Sequence, residues 1–256
     1  TMATYKKRGG KPSTKAELKT SIEDGSTTAE VFNTLDETAS RTEEWVIKNQ
    51  KYIFIIVGLA AVLVLGSLGY SKYVQEPKES KATNDLFQSQ QYFDQAVNGA
   101  SKDSLFTLSL NGSDGKYGFI DIAEVYAGTA AGNLANYYAG MAFLNMKDYP
   151  NAVTYLNAFS SDDDVLGPIS KGGIGDAFVQ LEQLEDAYDY YVQAAQLKSN
   201  NYTTPMYLYK AGVIGLKLNK NKQALSFFNQ IKSEFPESNE AKNIEVFIGK
   251  AEAAIN

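Results

Sequence analysis

Histidine and cysteine, the two residue types most often used in catalytic and metal sites, are both absent from the sequence. Histidine is the commonest general base and metal ligand, and cysteine supplies thiolate nucleophiles, disulfides and zinc ligands. Acid–base or metal chemistry would therefore depend on carboxylates. Two carboxylates can together hydrolyse a glycosidic bond, but no Asp or Glu pair in this sequence stands out for that role.

Two segments carry enough oxygen ligands to suggest a calcium loop. Such a loop needs ligands at alternate positions and a glutamate at position twelve. In the run Asp162, Asp163 and Asp164, Leu166 stands where the next ligand should be. In the loop that starts at Asn111, an isoleucine stands in place of the closing glutamate. The sequence predicts no metal site, and we interpret the aspartate run as a solvated loop.

The remaining chemical motif is KGGIGD, which begins at Lys171. It lacks the Gly-Lys-Ser/Thr order of a phosphate-binding loop. The net charge of −6 also argues against nucleic acid as a partner, because phosphate binding favours a basic surface. We therefore expect a protein that is not an enzyme, with no cofactor, no nucleic acid and no small-molecule substrate.

An apolar segment over 52–71 is the clearest structural feature of the sequence. Its 20 residues carry no charge, and a lysine flanks each end. At 1.5 Å per residue such a helix is about 30 Å long, which matches the hydrocarbon core of a bilayer. Tyr52 lies at one end, and Tyr70 and Tyr73 lie at the other, as in an aromatic belt. The segment predicts a transmembrane helix over 51–73.

The two segments that flank this span differ in net charge. Residues 1–51 hold 9 Lys/Arg and 8 Asp/Glu, a charge of +1, whereas residues 72–256 hold 15 and 22, a charge of −7. Short basic loops stay in the cytoplasm, so we place the N-terminus there and the C-terminal domain on the other side. Residues 1–27 read as a disordered basic tail, which either contacts anionic lipid or only fixes the topology.

A juxtamembrane amphipathic helix is predicted over 28–50. Its apolar positions alternate at spacings of three and four and end at Val46, next to Trp45. The stripe consists of Phe32, Leu35, Ala39, Thr42 and Val46. Two interpretations stay open: the helix lies on the lipid surface, or it docks on a membrane partner.

Residues 74–131 are predicted to form a polar neck and the N-terminal helices of the soluble domain. A helix over 82–98 would have Leu86, Phe87, Gln90, Phe93 and Val97 along one side. The turn-rich stretch 111–118 follows, and a further helix is expected to begin near residue 120.

Small residues recur at fixed intervals in residues 132–256. Each of three units has a glycine followed twelve residues later by an alanine, and these alanines are 35 and 37 residues apart. Small side chains at both positions predict that two helices cross there, because larger ones would force the helices apart. The pairs are Gly140 and Ala152, Gly175 and Ala187, and Gly212 and Ala224.

Three further positions support the same register. A large side chain follows each alanine by four residues: Leu156, Tyr191 and Phe228. Pro168 and Pro205 each precede their glycine by seven, which suits the first turn of a helix. Thr204 is predicted to cap that helix in the third unit.

This unit resembles the tetratricopeptide repeat, which has small residues at its eighth and twentieth positions, an aromatic residue at the eleventh and a proline at the thirty-second. The matching residues are Gly140, Phe143, Ala152, Gly175, Phe178, Ala187, Ala194, Gly212, Ala224 and Pro236. The usual tryptophan is missing, and Gly215 replaces the aromatic residue of the third unit. We expect an all-α fold: one N-terminal transmembrane helix, then a helical-repeat domain over 132–256 that ends in a capping helix.

The resemblance implies that the first helices of the repeats line a concave face that binds other proteins. Two interpretations stay open for each residue of this predicted binding face: it contacts a partner, or it packs on the helices of residues 82–130. Its eleven members are Leu134, Tyr137, Met141, Leu144, Ile169, Asp176, Val179, Met206, Tyr209, Val213 and Leu216.

The whole architecture resembles the bacterial ancillary SecYEG translocon subunit family, in its Bacteroidota-type members. The segments NLANYYAGMAFLNMKDYPNAVTYL and KYIFIIVGLAAVLVLG carry this resemblance. It implies a bacterial inner-membrane protein with a periplasmic adaptor or chaperone domain. Its partners would be the SecYEG translocon, a membrane-anchored prolyl isomerase or insertase, and emerging substrates. The alternative is a scaffold for another envelope machine, such as cell division or outer-membrane secretion.

Overall fold

The computed structural model describes residues 27–99 and 102–255, with side chains described from residue 42 onward. Every regular element in these ranges is helical, as the all-α prediction requires. The predicted basic tail lies outside the described residues, apart from its last residue, and so do the side chains of the amphipathic stripe up to residue 41. The chain divides into two compact units, residues 1–69 and 70–256.

The first unit is built on helix α1, Thr27–Tyr70. The predicted juxtamembrane segment and residues 51–70 of the predicted membrane-spanning segment lie on this one continuous helix. Its most apolar stretch has a mean hydropathy of 2.5, and none of that stretch is buried in the protein. A core helix of comparable hydropathy would be covered by other elements. The helix is therefore long and apolar enough to cross a bilayer, and its apolar side chains are free to face lipid.

The second unit begins with a π-helical turn, Ser71–Gln75, which leads into α2, Glu76–Asn98. Pro77 fits there because the first turn of a helix needs no backbone donor at that position. Of the side predicted for this helix, Leu86 and Phe93 are buried, whereas Phe87 and Val97 are exposed. The buried stripe recurs at spacings of four and three and uses smaller residues, namely Ala82, Leu86, Ser89, Phe93 and Ala96.

Two short helices, α3 (Lys102–Asn111) and α4 (Phe119–Val125), complete the N-terminal part of this unit. Phe93 lies at the centre of their core. Its ring makes edge-to-face contacts with Phe106, Phe119 and Tyr138, at centroid distances of 5.5, 6.2 and 5.2 Å. Such pairs add to the burial of apolar area, and they join α2, α3 and α4 to the first repeat.

Three helical hairpins follow. Their helices are α5 (Ala130–Asn145) and α6 (Tyr149–Ala158), α7 (Leu166–Gln180) and α8 (Leu184–Leu197), and α9 (Thr203–Lys217) and α10 (Asn221–Glu234). The turn inside each hairpin has a residue with positive φ: Lys147 at 64°, Glu182 at 58° and Asn219 at 59°. A left-handed residue ends a helix and satisfies its last carbonyls, so the three hairpins turn in the same way.

The crossing of the two helices in each hairpin has the predicted register. Ala152, Ala187 and Ala224 have no exposed surface. A Cβ atom added to Gly175 would lie 2.7 Å from the ring of Tyr191. The same addition at Gly140 would collide with Leu156, and at Gly212 with Phe228. Each glycine is therefore required because the large residue sixteen positions later fills the space beside it.

Pro168 and Pro205 are the third residues of α7 and α9, in the first turn as predicted. The predicted cap was wrong, because Thr204 lies inside α9. Asn200 performs this role instead: its Oδ1 accepts hydrogen bonds from the N–H groups of Tyr202 and Thr203, at 2.9 and 2.7 Å. A 3-10 turn, Glu240–Asn243, and helix α11, Ile244–Ile255, pack on the third hairpin.

Candidate protein-binding face

All eleven residues of the predicted binding face are half-buried, neither in the core nor fully exposed. Within α5 and α9 they follow the spacing of one helical stripe, which places them beside the fully buried stripe. The buried stripe of α5 consists of Ala131, Ala135, Ala139 and Ala142. Half-buried apolar residues of this kind hold the fold on one side and are available for contact on the other.

Members of the face in the first repeat also serve the fold. Leu134 and Met141 pack against the N-terminal core formed by α2 to α5. Tyr137 stacks obliquely on Phe159, with ring centroids 5.2 Å apart. Burial raises the pKa of the Tyr137 hydroxyl. In this repeat, the half-buried state of Leu134 and Met141 is therefore explained by their packing on the N-terminal helices.

The acidic member of the face, Asp176, is held by two neighbours. Lys210 Nζ lies 2.7 and 2.9 Å from its two carboxylate oxygens, and the Tyr191 hydroxyl donates a hydrogen bond to Oδ1. The lysine also lies over the rings of Tyr191 and Tyr207, 5.4 and 5.6 Å from their centroids. Burial, followed by the nearby Asp176 charge, raises the pKa of both tyrosines. The Asp176 charge is therefore compensated within the protein.

An apolar groove lies where the second and third repeats meet α11. Its volume is about 210 Å³. Three members of the predicted face line it, together with four residues that were not assigned to that face. The seven lining residues are Val179, Tyr191, Tyr209, Lys210, Val213, Ile214 and Phe247. In the second and third repeats the structure thus brings part of the predicted face together around one depression.

Tyr209 and Phe247 form the aromatic wall of this groove. Their rings meet edge to face, with centroids 4.9 Å apart. Phe247 was missed because α11 was interpreted only as a cap. The glycine spacing would not have found it: Gly249 follows Gly212 by 37 residues, but in that register Val246, and not Phe247, corresponds to Tyr209. Phe247 reaches the groove through the packing of α11 on α9, which sequence spacing does not show.

Lysine side chains lie in and near the groove. Lys210 is the only charged residue among the seven that line it. Lys250 lies on α11, one turn after Phe247, with Nζ 5.1 Å from the centroid of that ring. Lys217 lies one turn after Val213 on α9 and is exposed.

The aspartate run that precedes α7 is exposed, as the interpretation of a solvated loop implies, and its middle residue acts locally. Asp163 Oδ1 accepts hydrogen bonds from the N–H groups of Val165 and Leu166, both at 2.8 Å. These bonds lower the pKa of the Asp163 carboxyl. Such a carboxylate satisfies the free donors at the start of a helix. In the part of the chain that the structure describes, no group of three acidic residues gathers in a way that would hold a metal ion.

The fold and the face define a helical-repeat protein. The family model described as "Tetratricopeptide repeat" matches residues 134–163 and 207–238, which correspond to the first and third hairpins. The chain thus carries tetratricopeptide repeats, a fold that typically serves as a non-catalytic scaffold for protein–protein interaction. The comparisons with curated proteins and with solved structures found no match.

The second hairpin has the same geometry but lies outside both matched stretches. Its first helix contains four glycines, at positions 167, 172, 173 and 175. Two of them leave room for side chains of the neighbouring hairpins. The Tyr207 ring packs against Gly172, and Leu156 packs against Gly173. The unusual composition of α7 is therefore explained by close packing against the first and third hairpins.

Proposed function

We propose that this protein is a membrane-anchored adaptor that binds other proteins through the predicted binding face. The apolar groove is the observation that carries the proposal. Soluble proteins seldom leave apolar depressions next to a row of half-buried aromatic and aliphatic residues without using them for binding. The repeat fold supports the same conclusion, because stacked hairpins display extended surfaces for peptides and proteins.

The anchor in this proposal is the apolar part of α1. Its side chains are uncovered over a length that suits a bilayer, which supports a single membrane pass. The basic bias of the residues before it supports a cytoplasmic N-terminus and, in a bacterium, a periplasmic repeat domain in the inner membrane. The adaptor would then work beside the membrane, on proteins that emerge from it or reside in it.

The finer proposal is association with the Sec translocon. Its support is the resemblance of the whole architecture to ancillary SecYEG translocon subunits. In this proposal the anchor lies beside SecYEG, together with a membrane-anchored prolyl isomerase or insertase. The repeat domain then receives partner proteins or emerging substrates, and its role is that of an adaptor or chaperone without catalysis.

Co-purification of the full chain in mild detergent tests both levels of the proposal. We expect SecY or an insertase among the captured proteins. Division or outer-membrane secretion proteins in their place would overturn the translocon assignment and favour the alternative envelope scaffold. The face itself is tested with Tyr137→Ala and Tyr209→Ala, which should reduce capture while helicity is retained.

A matched control for these variants is Tyr202→Ala. Tyr202 is 65% exposed and lies in the loop before α9, outside the predicted face. The Tyr202→Ala variant removes the same type of aromatic side chain and should leave capture of partner proteins unchanged. Equal capture by all three variants and the original chain would contradict the proposal that this face binds partners.

A further inference from the structure

The size of the apolar groove limits what it can hold. Its volume of about 210 Å³ falls below the range of roughly 300–1,000 Å³ that is usual for small-molecule pockets. It suits one large apolar side chain of a protein partner, the kind of anchor that dominates protein–protein recognition.

Two cations near the groove lie on two different helices. Lys250 follows the aromatic wall on α11, and Lys217 follows Val213 on α9. Neither lysine forms an ion pair with a carboxylate among the described residues, whereas Lys210 is already paired with Asp176. The groove is thus an apolar depression with two available ammonium groups, each about one helical turn from its wall.

We propose that the groove binds a partner segment that inserts one large apolar side chain and carries acidic side chains on both sides of it. This inference rests on the proposed function and names the chemical class of the partner. Charge complementarity is the argument: two separate cations call for two separate carboxylates, which acidic side chains supply and a single chain terminus does not. Complementary charges also fix the register in which the anchor enters the groove.

The test uses the full chain in nanodiscs of phosphatidylcholine, a lipid without net charge, and three short fluorescent peptides. The peptides are blocked at both ends, share a central Leu-Phe pair and differ only in flanking residues, which are Glu, Gln or Lys. We expect the Glu-flanked peptide to bind about tenfold more tightly than the Lys-flanked one at low salt. That preference should fall below about twofold in 0.5 M NaCl, since exposed charges are then screened.

Charge reversal on the protein is the more specific part of this test. The double variant Lys217→Glu with Lys250→Glu should invert the order, so that the Lys-flanked peptide binds best. The matched control Lys222→Glu changes an exposed lysine of α10 and should leave the order unchanged. The variant Val213→Glu places a charge in the groove wall and should weaken all three peptides by about tenfold or more.

Several outcomes would overturn the inference. Equal affinity for the three peptides, with binding still lost in Val213→Glu, would reject the acidic partner class and leave the proposed binding face intact. Absence of binding, or binding that Val213→Glu does not weaken, would reject the groove as the site. Displacement of the peptide by dodecanoate would assign the groove to lipid, and a dimer that Val213→Glu dissociates would assign it to a second copy.

Discussion

Lys210 on α9 forms a two-pronged ion pair with Asp176 on α7, with Nζ–O distances of 2.7 and 2.9 Å. This pair links the second hairpin to the third. A second ion pair, between Lys220 and Glu185, joins the same two hairpins at almost the same sequence separation, 35 residues against 34 for Lys210 and Asp176. Ion pairs therefore contribute to the interface between these repeats.

Removal of the lysine should destabilise this interface. Lys210→Met retains most of the side-chain length but leaves the Asp176 carboxylate without its cation, and we expect a loss of about 1–2 kcal/mol in the free energy of unfolding. Urea unfolding followed by circular dichroism measures it. Lys232→Met is the control, because the Lys232–Glu245 pair is largely exposed and should contribute less than about 1 kcal/mol. Equal losses in both variants would contradict the role assigned to the Lys210 pair.

Two glycines in helices should respond in opposite directions to the same change. A Cβ on Gly172 would overlap the buried ring of Tyr207, so Gly172→Ala should cost about 1–3 kcal/mol. Gly249 lies in α11 with open space around it, so Gly249→Ala should stabilise the protein by about 0.5–1 kcal/mol. Thermal unfolding of both variants measures the two signs. A stabilising Gly172→Ala would show that α7 and α9 do not pack as described.

Glu79 on α2 caps the N-terminus of α5, although the two helices are far apart in the sequence. The two carboxylate oxygens of Glu79 accept hydrogen bonds from the N–H groups of Ala130 and Ala131, at 2.6 and 2.8 Å. These donors are free at the start of α5, and a carboxylate there also interacts favourably with the helix dipole. Glu79→Ala should therefore cost about 1–2 kcal/mol in urea unfolding. Glu76→Ala, three residues earlier on an exposed surface, should change the stability by less than about 0.5 kcal/mol.

The regular part of this fold was predictable because small residues report helix crossings directly. Gly140, Gly175 and Gly212 showed the register of three hairpins, and Pro168 and Pro205 showed where two helices begin. The binding face was derived from that register, since position in the repeat determines which side of a first helix a residue occupies, and as a binding surface it stays a prediction. The long apolar helix was predictable for a simpler reason, its uninterrupted apolar length.

The irregular part depended on side-chain contacts that sequence spacing does not encode. On α2, the large residues Phe87 and Val97 drew attention, yet the protein buries Ala82, Ser89 and Ala96 because neighbouring helices approach closely there. The pairing of Asp176 with Lys210 depends on the distance between two hairpins. The residue that caps α9 is Asn200 and not the predicted Thr204, because a side-chain amide that precedes the helix can satisfy two backbone donors at once.

Alkaline pH should weaken the N-terminal core in a defined window. The hydrogen bond that Tyr126 donates to Asp85, with a smaller effect of burial, raises the pKa of Tyr126 to about 12. An unfolded tyrosine has a pKa of about 10, so the folded state retains its proton longer and stability falls as the pH rises from about 10 to about 12. Below pH 10 the contribution is fully present.

The variant Tyr126→Phe removes this titration. Its stability at neutral pH should be lower by the lost hydrogen bond, about 1 kcal/mol, but it should decline less steeply between pH 10 and pH 12. Urea unfolding at several pH values in that window measures both effects. Parallel pH profiles for Tyr126→Phe and the original chain would show that the Tyr126–Asp85 bond does not contribute to folding.

Site-specific photocrosslinking in native membranes tests the central claim most directly. A benzoylphenylalanine is placed at Tyr209, on the aromatic wall of the groove, or at the exposed Tyr202 outside the predicted face. We predict crosslinked protein adducts from position 209, identified by mass spectrometry, and few or none from position 202. Equal adducts at both positions, or adducts from position 202 alone, would contradict a partner-binding face on the first helices of these repeats.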